Sequence, residues 1–136
     1  VTSFARDPNL VTKLLLVGLG GFVGSIARYV LSGAVQQWLQ NSSFPYGTMA
    51  VNIIGCFAIG CLNGLAESRQ IISPEIRVFL VVGLLGGFTT FSTFGYETLV
   101  LLRESQLISA LANVAFQITF GLISVWSGYV LVSRYL

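Results

Sequence analysis

The run Gly86-Gly87-Phe88-Thr89-Thr90-Phe91-Ser92-Thr93-Phe94 lies inside a long apolar segment, and its reading decides what kind of molecule this chain forms. Two glycines followed by four hydroxyl residues loosen a helix. In hydrocarbon every backbone amide and carbonyl has to be paired within the protein, so such a stretch is tolerated at bilayer depth only against other protein or a wet cavity. It therefore marks a candidate functional site. Working outward, the 136 residues are 54% hydrophobic and only 9% charged, and mean hydropathy is +0.83. A water-facing surface normally draws on ~25% charged residues, so the chain reads as an all-α integral membrane protein. At ~20 residues per crossing, residues 1–136 form a single four-span domain with short connections and no soluble domain.

The expected spans run from Leu10 to about Val35, from about Gly47 to Ala66, from about Glu75 to Leu102 and from about Leu107 to Val132. Val1 to Asn9 reads as a short polar tail or interfacial segment without the order of a cleavable signal peptide. Gly20 and Gly24 on the first span, and Gly60 and Gly64 on the second, form GxxxG faces that let another helix backbone approach closely. Gln36 to Tyr46, with Asn41, Ser42, Ser43 and Pro45, reads as a turn. Ser73-Pro74-Glu75 reads as an N-cap with proline at the first helical position. The third span is expected to be broken into two short helices near residues 86 to 90, an arrangement in which half-helix ends face an ion. Arg6, Lys13, Arg69, Arg77 and Arg134 fall on one side and Arg103 on the other, a lean towards cytoplasmic termini.

Composition also excludes functions. The chain has no histidine, and Asp7 is its only aspartate, so metal-hydrolase and histidine-relay chemistry lack their groups. No nucleophile, base and orienting residue form an enzyme's set. Cys56 and Cys61, five apart on one span, lack CxxC spacing and read as packing residues. The net charge of +2 is too small and scattered to argue for nucleic acid.

The residues able to carry an ion are mostly uncharged. Phe91 and Phe94 are three apart and share a helix face. Aromatic edges are positive, so two rings edge-on to a cavity favour an anion; the alternative is packing or lipid contact. Asn52 either donates N–H groups to an anion or joins two helices. Thr48 lies four residues earlier on its face. Asn113 and Gln117, also four apart, admit the same two readings. Arg28 either snorkels to headgroups or lends positive potential to a vestibule. Glu97 either pairs with Arg28 or Arg103 or serves as a lone proton site. Carbonyls freed near Thr89 and Thr90 suit a hard cation, with two copies of the chain needed for four oxygens.

Three ordered motifs carry a resemblance. They are Gly20-Gly21-Phe22-Val23-Gly24-Ser25-Ile26-Ala27-Arg28-Tyr29, Gly47-Thr48-Met49-Ala50-Val51-Asn52-Ile53-Ile54-Gly55, and the run from Gly86 to Phe94 with Glu97. With them the chain resembles, over nearly its whole length, the Fluc/CrcB family of fluoride channels. The resemblance implies four-span subunits in an antiparallel homodimer that insert in both orientations and pass fluoride passively through two pores at the subunit interface. It implies that Phe91 and Phe94 are edge-on fluoride ligands and that Asn52 is a pore-lining donor. Thr48, Ser92, Thr93, Asn113 and Gln117 become further pore candidates, and Arg28 belongs to a vestibule. Backbone carbonyls of Gly86 and Thr89 from both subunits would hold a structural Na⁺. The expected location is a bacterial inner membrane, where the channel would confer fluoride resistance. One alternative is a small proton-coupled exporter of organic cations, which would need a carboxylate in the first span where this chain has none. Another is an accessory subunit whose glycine faces only pack.

Overall fold

The structure is a computed structural model that describes residues 8–40, 43–69 and 73–135. Among the described residues there is no strand. Helix α1 spans Leu10–Trp38, α2 Tyr46–Arg69 and α6 Leu107–Tyr135. The third crossing is composite. Helix α3 (Pro74–Arg77) passes into a π-helical stretch, Val78–Leu85, and then into a single turn, α4 (Gly86–Phe88). Two residues of extended backbone follow before α5 (Phe91–Arg103). Four segments, Leu10–Trp38, Tyr46–Glu67, Pro74–Arg103 and Leu107–Tyr135, are long and apolar enough to cross a bilayer. The protein is a multi-pass membrane protein. The expectations for the tail before Pro8, for Asn41 and Ser42, and for the side chains of Arg6 and Arg69 lie outside the described residues and side chains.

Local chemistry accounts for the turns. Ser73 caps α3 by accepting the Ile76 N–H at 3.3 Å, with Pro74 at the first helical position, where a missing N–H costs nothing. Helix α5 ends through Ser105, whose φ of 60° is left-handed. Its neighbour Gln106 donates its N–H to Leu101 O at 2.9 Å, which closes the last turn and sends α6 back beside α5. Gln36 reaches from α1 into the next connection, donating to Phe44 O and accepting from Gly47 N–H, each at 3.1 Å. That clamp fixes where α2 begins.

Helix α1 lies mainly along the third crossing, and α2 along α6. Both contacts depend on absent side chains. A Cβ on Gly24 would run into Leu84 O, and one on Gly128 into Phe57 O. Gly20 and Gly24 do form a close-approach face: Gly20 meets Gly83, Gly24 meets the backbone of Leu84 and Phe88, and beside them Gly87 meets Gly21. Because lipid tails are as apolar as leucine, such close van der Waals packing, and not water exclusion, holds membrane helices together. Gly24→Leu is expected to cost at least ~1–3 kcal/mol. The check is the unfolding midpoint in detergent; an unchanged midpoint would mean that α1 stands off from the third crossing without penalty.

Candidate functional site

The glycine pair does not itself leave helical geometry. Gly86 and Gly87 are helical, and the chain becomes extended only at Thr89 (φ −90°, ψ 160°) and Thr90 (φ −152°, ψ 115°). Gly87 serves packing instead, since a Cβ there would lie 2.7 Å from Gly21 O. In a continuous helix the N–H groups of Thr90 and Thr93 would close on the carbonyls of Gly86 and Thr89. Here they go elsewhere. Thr90 N–H donates to Asn52 Oδ1 at 2.8 Å, and Thr93 N–H donates to Thr90 Oγ1 at 3.2 Å. Thr90 is thus the N-cap of α5, and the carbonyls of Gly86 and Thr89 are released from their helical partners. The break places the negative end of one half-helix beside the positive end of the next.

Asn52 on α2 brackets this break. Its amide oxygen takes the Thr90 N–H, and its nitrogen donates to Thr90 O at 3.1 Å and to Gln117 Oε1 at 2.7 Å. Both N–H groups of Asn52 are therefore committed inside the protein. Gln117 in turn donates to Asn113 Oδ1 at 3.1 Å, and Asn113 donates to Thr98 Oγ1 at 2.9 Å. Thr98 then donates to Phe94 O at 2.8 Å. Asn113 is 0% exposed, so its amide is spent within the helix packing. The pairing of Asn113 with Gln117 follows from their spacing on α6. Sequence spacing gives no sign of Thr98 as a partner, since it lies on another helix, fifteen positions from Asn113.

Two cavities flank the first turn of α5. The first, about 370 Å³, is lined by Asn52, Gly86, Thr89, Phe91, Phe94 and Gln117 together with Cys56, and no charged side chain belongs to its described lining. The Phe91 and Phe94 rings share this cavity with centroids 5.5 Å apart and planes inclined by 54°. Phe91 is 83% exposed and stands at the cavity mouth. The second cavity, about 440 Å³, is lined by Ser32, Gln36, Ser43, Thr48, Thr93 and Glu97 among others. There Thr48 Oγ1 donates to Glu97 Oε1 at 2.7 Å. Glu97 Oε2 is enclosed and has no hydrogen-bond partner among the described residues. So the glutamate meets a threonine where the sequence offered Arg28 or Arg103.

The structure separates the sequence candidates into groups. Phe91, Phe94, Asn52, Gln117, Gly86 and Thr89 meet at the first cavity, and Thr48 and Thr93 at the second. Ser92 is exposed, with its hydroxyl 3.3 Å from Thr90 Oγ1. Since Thr90 Oγ1 donates to Thr93 Oγ1 at 2.9 Å, the Thr93 hydroxyl hydrogen remains available to the second cavity. Arg28 is half-buried on α1, one turn before Ser32, and belongs to the described lining of neither cavity.

Residues 15–129 match the family described as CrcB-like protein, camphor resistance. A fluoride-specific ion channel FluC of Methylobacillus flagellatus is 52% identical over 120 residues, covering 88% of this chain and 94% of that protein. FluC 1 of Methanosarcina acetivorans is 44% identical over 117 residues, 85% of this chain and 86% of the relative. FluC of Geobacter sulfurreducens is 44% identical over 118 residues, with coverage of 87% and 94%.

Proposed function

The chain belongs to the CrcB-like family, and on that premise we propose that it is a passive, fluoride-selective ion channel through which cytoplasmic fluoride leaves the cell. The observation that carries this reading is the Phe91–Phe94 pair in a cavity whose described lining holds no charged side chain, beside the N-terminus of α5. Ring edges and a helix N-terminus both attract anions without a fixed cation. That suits a small anion that holds water tightly. A pore has to replace the hydration shell with close donors and yet bind weakly enough to release the ion.

The exposed Phe91 and the open cavity support a second copy of the chain as the missing wall. In this reading the partner is antiparallel, two pores run along the interface, and the protein inserts in both orientations. The released carbonyls of Gly86 and Thr89 suit Na⁺, a hard cation that takes neutral oxygen ligands at unwound helix ends, and two copies supply four. The bound ion would add fixed positive charge at the centre of the dimer. Gln117 shares the first cavity with the rings, Ser92 is exposed next to Phe91 in the chain, and Thr93 and Thr48 line the second cavity, with Arg28 contributing potential towards its α1 wall. Asn52 contributes by shaping the break, since an ion taking one of its N–H groups would displace Thr90 O or Gln117 Oε1.

In a bacterial inner membrane, an inside-negative potential favours anion exit by ~2.3 kcal/mol per 100 mV, so no coupled energy source is required. The exporter alternative is not favoured: α1 carries no carboxylate, and the nearest substitute, Glu97, belongs to the third crossing. The test is efflux from liposomes containing only the purified protein, followed with fluoride and chloride electrodes and no pH gradient. Fast fluoride release without chloride release is expected. Release of neither ion would refute the channel reading.

A further inference from the structure

We infer that Thr98 is a positioning residue that fixes the sense of a closed chain of side-chain amides and thereby holds Asn52, and with it the first turn of α5, in the conducting arrangement. The inference rests on the channel reading and assigns to it a residue that lines neither cavity. The chain starts and finishes on α5. It runs from Thr90 N–H to Asn52, Gln117, Asn113 and Thr98, and returns to the backbone at Phe94 O. The segment it staples, Thr90 to Phe94, carries both phenylalanines.

Every amide in such a chain has a donor end and an acceptor end, so reversing one link forces its neighbour to reverse. The sense is settled at the termini. At one end the backbone N–H of Thr90 can only donate. At the other the Thr98 hydroxyl hydrogen is given to Phe94 O, so that oxygen can only accept from Asn113. The two ends enforce the same sense. Remove the hydroxyl, and Asn113, which is fully buried, is left with an N–H facing a methyl group. Relief then requires Asn113, Gln117 and Asn52 to turn over together, which would set an Asn52 N–H against the Thr90 N–H. An unpaired buried donor shifts such an equilibrium by about tenfold or more.

The test compares wild type, Thr98→Val and Thr98→Ser as purified full chains of matched oligomeric state. Fluoride and chloride efflux from liposomes is measured beside the side-chain amide NMR resonances of Asn52, Asn113 and Gln117. Thr98→Val keeps shape and volume and is expected to lower fluoride efflux about tenfold and to shift all three amide pairs. Thr98→Ser, which keeps the hydroxyl, is expected to restore both. Wild-type efflux in Thr98→Val would overturn the inference, as would a shift confined to Asn113, which a merely local packing role would give. Failure of the wild type to conduct would refute the channel reading instead, and the amide resonances would still report whether the chain is coupled.

Discussion

Replacing Phe91 and Phe94 together by isoleucine is expected to abolish fluoride efflux from liposomes while leaving helical content and oligomeric state as in the wild type. Isoleucine keeps an apolar side chain of somewhat smaller volume but has no ring edge, so the substitution removes the partial positive charge without adding a formal charge. Phe91 is 83% exposed within one chain, and little of the fold depends on it. The barrier for a strongly hydrated anion is another matter. With no edges to replace lost water, efflux should fall by about a hundredfold or more, equivalent to ~2.7 kcal/mol on the barrier. The measurement is the initial fluoride-electrode slope per mass of reconstituted protein. Full efflux from the double variant would remove the rings from the mechanism and leave the helix N-terminus and the hydroxyl groups as the anion's ligands.

Asn52→Leu is the second substitution with a large expected effect, and its cause lies in the backbone. Thr90 is only 8% exposed, and Asn52 supplies partners for both its N–H and its C=O. Leucine leaves these two groups and Gln117 Oε1 unpaired, at ~1–3 kcal/mol for each buried group. The nearest alternative acceptor for the Thr90 N–H along the chain is Gly86 O, which would extend the helix through the break. That change would rotate Phe91 and Phe94 away from the cavity and take Gly86 O from the proposed cation. Fluoride efflux is expected to fall about a hundredfold, and the detergent unfolding midpoint to drop. Efflux close to wild type in Asn52→Leu would show that the bracket on Thr90 is dispensable.

Much of the architecture was legible because it is written at short range. Span positions follow from runs of apolar residues, and the Ser73–Pro74 helix start from two adjacent residues. The shared cavity of Phe91 and Phe94 follows from a spacing of three, and the Asn113–Gln117 link from a spacing of four. The glycine pair was legible in kind but not in role. Its composition reads as helix-loosening, but Gly87 is helical and makes room for α1, and the extended geometry belongs to the two threonines after it. The π-helical stretch Val78–Leu85 left no sign in its composition, because an apolar run fits either helix type.

Asn52 shows where local reading stops. Its alternatives, an anion donor or a joint between helices, depend on groups 38 and 65 positions away. The same holds for Glu97, whose hydrogen-bond partner Thr48 lies on another helix 49 positions earlier. By itself the sequence determined that the chain lives in lipid, that it crosses four times, and that its third crossing carries an aromatic pair on one helix face. These properties depend on apolar length and helical period, which are local. Only the tertiary structure decided which polar groups meet, because an unpaired amide in hydrocarbon takes whatever partner the helix packing brings within ~3 Å. Here the glycine contacts between α1 and the third crossing, and between α2 and α6, set that packing.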